Sequence, residues 1–145
     1  MRAGANSYDR IPGRAVYRLL PYISWITNAS VLGVDTVMKF GVLQFFSWPG
    51  RRFPLEQVYE RAFNRIDMMD KTGYDAVWLA EHHFSTYSVC PSIHIMGAHV
   101  AAHTRNIRIG TAVSLASFYH PLRLAEEVAL LDQLTHGRVN WGAGR

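Results

Sequence analysis

The chain changes texture at Met38. From there on, short runs of consecutive apolar residues alternate with longer stretches whose apolar positions recur at helical spacing, the pattern of strand and helix units around a parallel sheet. Lys39 to Phe46, "KFGVLQFF", reads as the first strand. In "PLEQVYERAFNRIDMMDKTG" the residues Leu55, Val58, Ala62, Ile66 and Met69 fall on one helical stripe, with Pro54 suited to the first turn and Gly73 to the stop. "AVWLA" is then a second strand, "PSIHIMGAHVAAH" a second helix and "IRIGTAVSL" a third strand. "PLRLAEEVALLDQLTHG" places Leu124, Val128, Leu131 and Thr135 at helical spacing between Pro121 and Gly137, and "RVNWGAG" supplies a fourth strand.

Strands that are apolar throughout belong to a sheet covered by helices, either doubly wound or barrel-like. The first strand-to-helix loop, "SWPGRR", has no glycine-rich phosphate fingerprint, which weighs against a dinucleotide-binding doubly wound fold. A (β/α)₈ barrel of the TIM type needs eight strands and about 250 residues. Periodicity alone does not separate the two folds; if the α/β chain is a barrel, the pattern supplies about four such units, about half of it, a fragment whose last strand is an open edge.

Residues 1–37 lack any sustained period and are interrupted by Pro12, Gly13 and Pro21, so they read as a leader outside the fold, with Met38 as the natural start. Basic residues precede "LLPYISWI", but Pro21 breaks the apolar run and no convincing cleavage site follows. The run is also far short of the ~20 apolar residues of a membrane span. With 49% hydrophobic and 18% charged residues the composition is that of one soluble globular domain. The net charge of +4 owes much to Arg2, Arg10, Arg14 and Arg18 in the leader, so nucleic acid is not an expected partner. The single cysteine, Cys90, cannot form an internal disulfide and fits a reducing, cytoplasmic setting.

In a parallel barrel the active site lies at the carboxyl ends of the strands. Glu81, His82 and His83 follow the second strand there, Ser114 to His120 the third, and Gly142 to Arg145 the fourth. Adjacent residues leaving a strand point in opposite directions, so His82 and His83 do not suit one metal ion; one faces the pocket and the other braces it. No Cys and His cluster at zinc spacing occurs elsewhere, and no metal is expected. An imidazole at His82 suits a general base near neutral pH, while the plainer alternative has both histidines bonded to loop backbone. "GRVNWGAGR" permits close backbone approach and ends in Arg145, a natural phosphate partner, or else it is a tight turn with a solvated arginine. His94, His99 and His103 read as a solvated or partly buried helix face. Cys90 precedes Pro91 at a helix start, a place that can lower a thiol pKa, but with no base in view it reads as structural. "FFSWPGRRF" could line an apolar pocket or cap the barrel end.

"MKFG", "GYDAVWLAEHHF", "RIGTAVSL", "HPLRLAEEVALLDQLTHGR" and "WGAGR", in this order and spacing, resemble the bacterial luciferase-like flavin monooxygenases over essentially all of residues 38–145. The resemblance implies a (β/α)₈ barrel that takes reduced FMN from a separate flavin reductase and uses O₂ as co-substrate. It implies a flavin C4a-hydroperoxide that inserts one oxygen atom into a small organic substrate, commonly an aldehyde, ketone or hydrocarbon, in a site shielded from water. His82 matches the family's catalytic histidine, acting as a base. Glu81 and His83 fall in the pocket wall, Ala112 and Val113 at a non-proline cis peptide against the flavin ring, and Arg145 at the FMN phosphate. Gly144 stands where the luciferase α-chain has a reactive cysteine, so light emission is not implied. Further phosphate ligands and the mobile lid belong to the second half of the family barrel, so these 145 residues alone are expected to hold flavin poorly. The resemblance also implies a homo- or heterodimer for the whole protein, formed through early helices. Two other readings stay open: a non-catalytic flavin-binding or partner subunit, and a deazaflavin-dependent oxidoreductase of the same fold.

Overall fold

The computed structural model describes residues 38–145; the leader reading of residues 1–37 lies outside the described residues. In chain order the elements are β1 (Gly41–Gln44), α1 (Leu55–Thr72), β2 (Ala76–Leu79), α2 (Ile93–His103), β3 (Arg108–Thr111), β4 (Ser114–Leu115), α3 (Pro121–Leu134), β5 (Val139–Asn140) and β6 (Ala143–Gly144), with 3₁₀ turns at Pro49–Arg51 and Ala116–Phe118. β1, β2, β3 and β5 form one parallel sheet in that spatial order, and β4 and β6 form a separate parallel pair. Successive strands lie side by side with helices between them, which is the arrangement of half a (β/α)₈ barrel.

α1 buries Val58, Ala62, Ile66 and Met69 of its stripe, with Leu55 half-buried. It stops at Gly73, whose φ of 84° is left-handed and whose N–H closes on the Met69 carbonyl. Parallel register sets Val77 beside Ile109 and Leu79 beside Thr111. These side chains are buried against the helices, in one core with Ile66, Ile93, Val100 and Ile107. On the other face of the sheet Leu43 is 47% exposed, and Trp78 lies across Gly110, where a Cβ would stand 2.2 Å from the indole. That is the face a closed barrel turns inward.

At the bottom of the sheet Asp70 accepts backbone N–H groups from Arg105, Asn106 and Ile107 at 2.7 to 3.0 Å, which ties α1 to the turn before β3. Burial opposes ionisation of this carboxyl, yet the three N–H donors hold it below the usual carboxylate range.

The apolar runs and the ladders differ at the strand ends. The first run reaches Phe46, but the ladder stops at Gln44 because the Phe46 N–H turns to the Ser88 hydroxyl at 3.1 Å. The third run divides into β3 and β4 at Ala112–Val113, whose peptide bond is cis, and the fourth divides at Trp141–Gly142. In α3 the burial falls on Leu124 and Leu131, while Val128 is half-exposed. No helix among the described residues is long and apolar enough to cross a membrane.

Candidate active site

The ladder breaks lie at the carboxyl ends of the strands, and they aim the polar residues. The Ala112 N–H still pairs with the Leu79 carbonyl at 2.8 Å, so the cis peptide follows directly beside the end of β2, next to Ala80 and Glu81. Thr111 and Gly142 are doubly bonded. The Thr111 hydroxyl donates to the Gly142 carbonyl and accepts the Gly142 N–H, both at 2.8 Å, while the Ser114 N–H also reaches that carbonyl at 2.8 Å. Such closeness needs glycine: a Cβ on Gly142 would stand 2.6 Å from the Thr111 backbone carbonyl oxygen, and one on Gly144 2.5 Å from Val113 Cγ2. Arg145 follows, exposed, and pairs with no carboxylate among the described residues.

Glu81 is 3% exposed and its carboxylate is fully engaged. Oε1 accepts from the Tyr119 hydroxyl at 3.2 Å and meets His83 Nε2 at 2.8 Å, and Oε2 accepts the Leu115 N–H at 3.1 Å. It therefore clamps the segment after the cis peptide to the end of β2. Burial, reinforced by the Glu81 charge, pushes the Tyr119 phenol up to about 12, so it remains a donor.

The two histidines separate as strand geometry requires. His83 braces on Glu81. His82 stacks on Phe45, with ring centroids 5.8 Å apart and planes 15° apart, and stands edge-on to Tyr87 at 5.2 Å. Its backbone N–H donates to the Cys90 carbonyl at 3.0 Å, but its imidazole nitrogens have no hydrogen-bond partner among the described residues. The backbone-bonded alternative for the pair thus fails at both side chains. His82 and His83 border a cleft of about 510 Å³ with Trp48, Arg51, Tyr59 and Val89. "FFSWPGRRF" contributes to this cleft through Trp48 and Arg51, whose guanidinium lies 5.6 Å from the Trp48 ring.

Cys90 is structural, as its sequence reading has it: it is fully buried, and desolvation followed by the Glu81 charge pushes its thiol up to about 12. The reading of His94 as solvated or partly buried needs correction. His94 is not on a solvated face. It is 6% exposed, with Nε2 at 3.0 Å from the Ser114 hydroxyl and Nδ1 at 3.3 Å from Glu127, while the Ser114 oxygen also accepts the Trp141 indole N–H at 3.1 Å. The available signal was the helical spacing of His94 with Gly97 and Val100, which with Ile93 make up the buried side of α2, while Ile95 on the other side is 75% exposed. Among the described residues no group of three or more His, Cys, Asp or Glu side chains could hold a metal ion.

Residues 38–145 match the family of luciferase-like monooxygenases. Two curated relatives are the oxygenase component of the flavin-dependent trigonelline monooxygenase of Acinetobacter baylyi, 32% identical over 62% of this chain and 25% of the relative, and the alkanal monooxygenase alpha chain of Photorhabdus laumondii, 32% identical over 74% and 30%. Among solved structures, a monooxygenase of Streptomyces bottropensis superposes with a TM-score of 0.69 at 34% identity, covering 74% of this chain and 33% of that one. The oxygenating constituent of 3,6-diketocamphane monooxygenase from Pseudomonas putida, in complex with FMN, shares the fold with a TM-score of 0.68 at 24% identity, over 74% and 29% of the two chains. An F420-dependent secondary alcohol dehydrogenase follows at 0.54 and 26%, over 74% and 32%. The chain spans about 30% of the length of the alkanal monooxygenase relative.

Proposed function

Because this chain belongs to the luciferase-like monooxygenase family, we propose that the whole protein is an oxygenase that uses reduced FMN and O₂ to add one oxygen atom to a small organic substrate. The observation that carries this reading is His82: its ring is oriented by Phe45 and Tyr87, yet its nitrogens are uncommitted, at a strand end adjoining the cis Ala112–Val113 peptide. The residues fit a flavin in kind. The backbone at Gly142 and Gly144 is bare because no Cβ can be accommodated there, and it leads to an exposed cation at Arg145. Ala112 and Val113, with Glu81 and His83 in the wall behind them, would hold the ring, and Arg145 the phosphate. Bound reduced flavin would supply, with O₂, the oxygen-transfer chemistry.

The chain's own residues then have separate duties. His82 takes and returns a proton at an imidazole nitrogen, the role for which an unpaired imidazole near neutral pH is suited. Phe45 and Tyr87 keep water from two sides of that ring. Glu81 holds His83, Tyr119 and the Leu115 amide in place.

The reading places the protein in the cytoplasm, supplied by a separate flavin reductase, and as a dimer in its whole form. It is tested in a polypeptide that continues residues 38–145 to a full barrel. His82→Ala should cut oxygenation about 10² to 10⁴-fold, the worth of a general base, with FMN affinity within a few-fold of wild type. Unchanged turnover would overturn the role of His82. The isolated 145-residue chain should bind FMN more weakly than micromolar, and micromolar binding would refute that expectation. The likeness to an F420-dependent dehydrogenase supports a second reading, hydride transfer with a deazaflavin. The absorption spectrum of the cofactor retained by the full barrel decides between them.

A further inference from the structure

The hydrogen bonds around His94 join four separate elements: His94 on α2, Ser114 on β4, Glu127 on α3 and Trp141 between β5 and β6. With the His94 ring neutral, their directions follow from the two ends. Glu127 is held below the usual carboxylate range by its bond to Arg123, with further help from His94, so it is an acceptor only. Nδ1 of His94 must therefore carry hydrogen. A neutral imidazole then presents Nε2 as an acceptor, so the Ser114 hydroxyl donates to it. The Ser114 oxygen is left to accept from the Trp141 indole, which can only donate.

Ser, His and Glu in this sequence evoke a hydrolytic triad, but Ser114 is 0% exposed and its oxygen is taken up by the indole. No acyl group can reach it. The chain of bonds ends instead on Trp141, which is 50% exposed and sits immediately before Gly142, the residue bonded to Thr111 beside the cis peptide. Of the network's two accessible ends, Glu127 at 31% exposure and Trp141, only the indole lies at the same strand ends as His82.

We propose that His94 is a positioning residue: through Ser114 it fixes the Trp141 indole at the carboxyl end of β5, as part of the wall against which flavin or substrate sits. The wall assignment rests on the flavin reading above, whereas the relay from His94 to Trp141 does not.

The relay is tested on the ¹⁵N-labelled 145-residue chain by following the Trp141 indole N–H, identified by its loss in Trp141→Phe. Ser114→Ala removes the acceptor, and should move this resonance and speed its solvent exchange about three- to tenfold, the worth of one hydrogen bond. His94→Leu should do the same although His94 bonds to Ser114 and not to Trp141 itself. His94→Gln offers a carbonyl oxygen to the Ser114 hydroxyl and should restore the wild-type signal, which a merely space-filling histidine would not require. An indole indifferent to Ser114→Ala, or an equal change in His94→Leu and His94→Gln, overturns the relay. The Trp48 and Trp78 indole signals report folding, and should His94→Leu fail to fold, Ser114→Ala and His94→Gln decide. The wall assignment is tested separately in the full barrel with oxidised FMN. FMN that binds and shifts the Trp141 indole supports it, and FMN that binds without such a shift overturns it. FMN that does not bind at all overturns the flavin reading and the wall assignment with it, and leaves the relay standing.

Discussion

Removing the Glu81 carboxylate tests how the rim of the sheet is held. The Glu81 side chain is 0% exposed and serves three partners, the Leu115 N–H, the Tyr119 hydroxyl and His83. Glu81→Ala strands all three. A fully buried orphan costs ~1–3 kcal/mol, but Leu115, Tyr119 and His83 are each half-buried and can recover water in part, so about 1 kcal/mol apiece is the better figure. Relief of the desolvated charge offsets some of this, which leaves an expected loss of roughly 2–3 kcal/mol. Glu81→Gln keeps the volume and one acceptor but turns an NH₂ toward a donor, for a loss of about 1–2 kcal/mol. Urea unfolding of the three chains gives these differences from the midpoints at constant slope. Amide hydrogen exchange at Leu115 should accelerate in Glu81→Ala ahead of the Val77 and Ile109 amides. A loss below 0.5 kcal/mol together with an unaltered Leu115 amide would refute the clamp.

Three further outcomes follow from the same geometry. The Cys90 thiol, moved from 9.0 to about 12, holds its proton in the folded state, so stability is intact below pH 9 and falls between pH 9 and about 12; at pH 8 its labelling by a disulfide reagent should be about 10³-fold slower than in urea, and equal rates would contradict its burial. Asp70→Ala removes the acceptor of three backbone N–H groups and should cost about 2–3 kcal/mol in urea. The lowered Asp70 pKa contributes stability that is present above pH 3.8 and lost as pH falls through the folded value, so Asp70→Asn should flatten the acid limb of the stability profile. Gly110→Ala drives a methyl into the Trp78 ring, at 2.2 Å, and should cost about 1–3 kcal/mol with a shifted Trp78 emission; a neutral substitution would mean that the indole does not lie across the sheet.

The order of the elements was readable because each carries its own local signal: the α1 stripe, the Gly73 stop and the unbroken apolar run of β2 need no partner to be recognised. The ends of the strands were not. Apolar character continues through Phe45, Phe46, Ala112 and Val113, but a ladder ends where a backbone N–H finds another acceptor, as Phe46 does at Ser88, and that acceptor lies 42 residues away. The same distance in sequence hid His94. A histidine in an apolar helix can be solvated or buried according to what faces it, and the groups that face it, Ser114 and Glu127, are 20 and 33 residues downstream. His82 and His83 were separable because alternation along a strand is a two-residue rule.

Local signals therefore place the rim, and long-range polar bonds shape it. Glu81, Ser114 and His94 are buried groups just after β2, on β4 and on α2, and each joins elements that the sheet ladder does not join at that point. Apolar packing could fill the same space, but it would not fix direction, because dispersion contacts are indifferent to rotation and a donor–acceptor pair is not. A site that must hold one imidazole unpaired, with its neighbours in set orientations, needs that directional bonding behind it. The prediction that distinguishes this from simple filling is the contrast between His94→Leu and His94→Gln: the two side chains occupy similar volume, and only the one that can accept a hydrogen bond should return the Trp141 indole to its place.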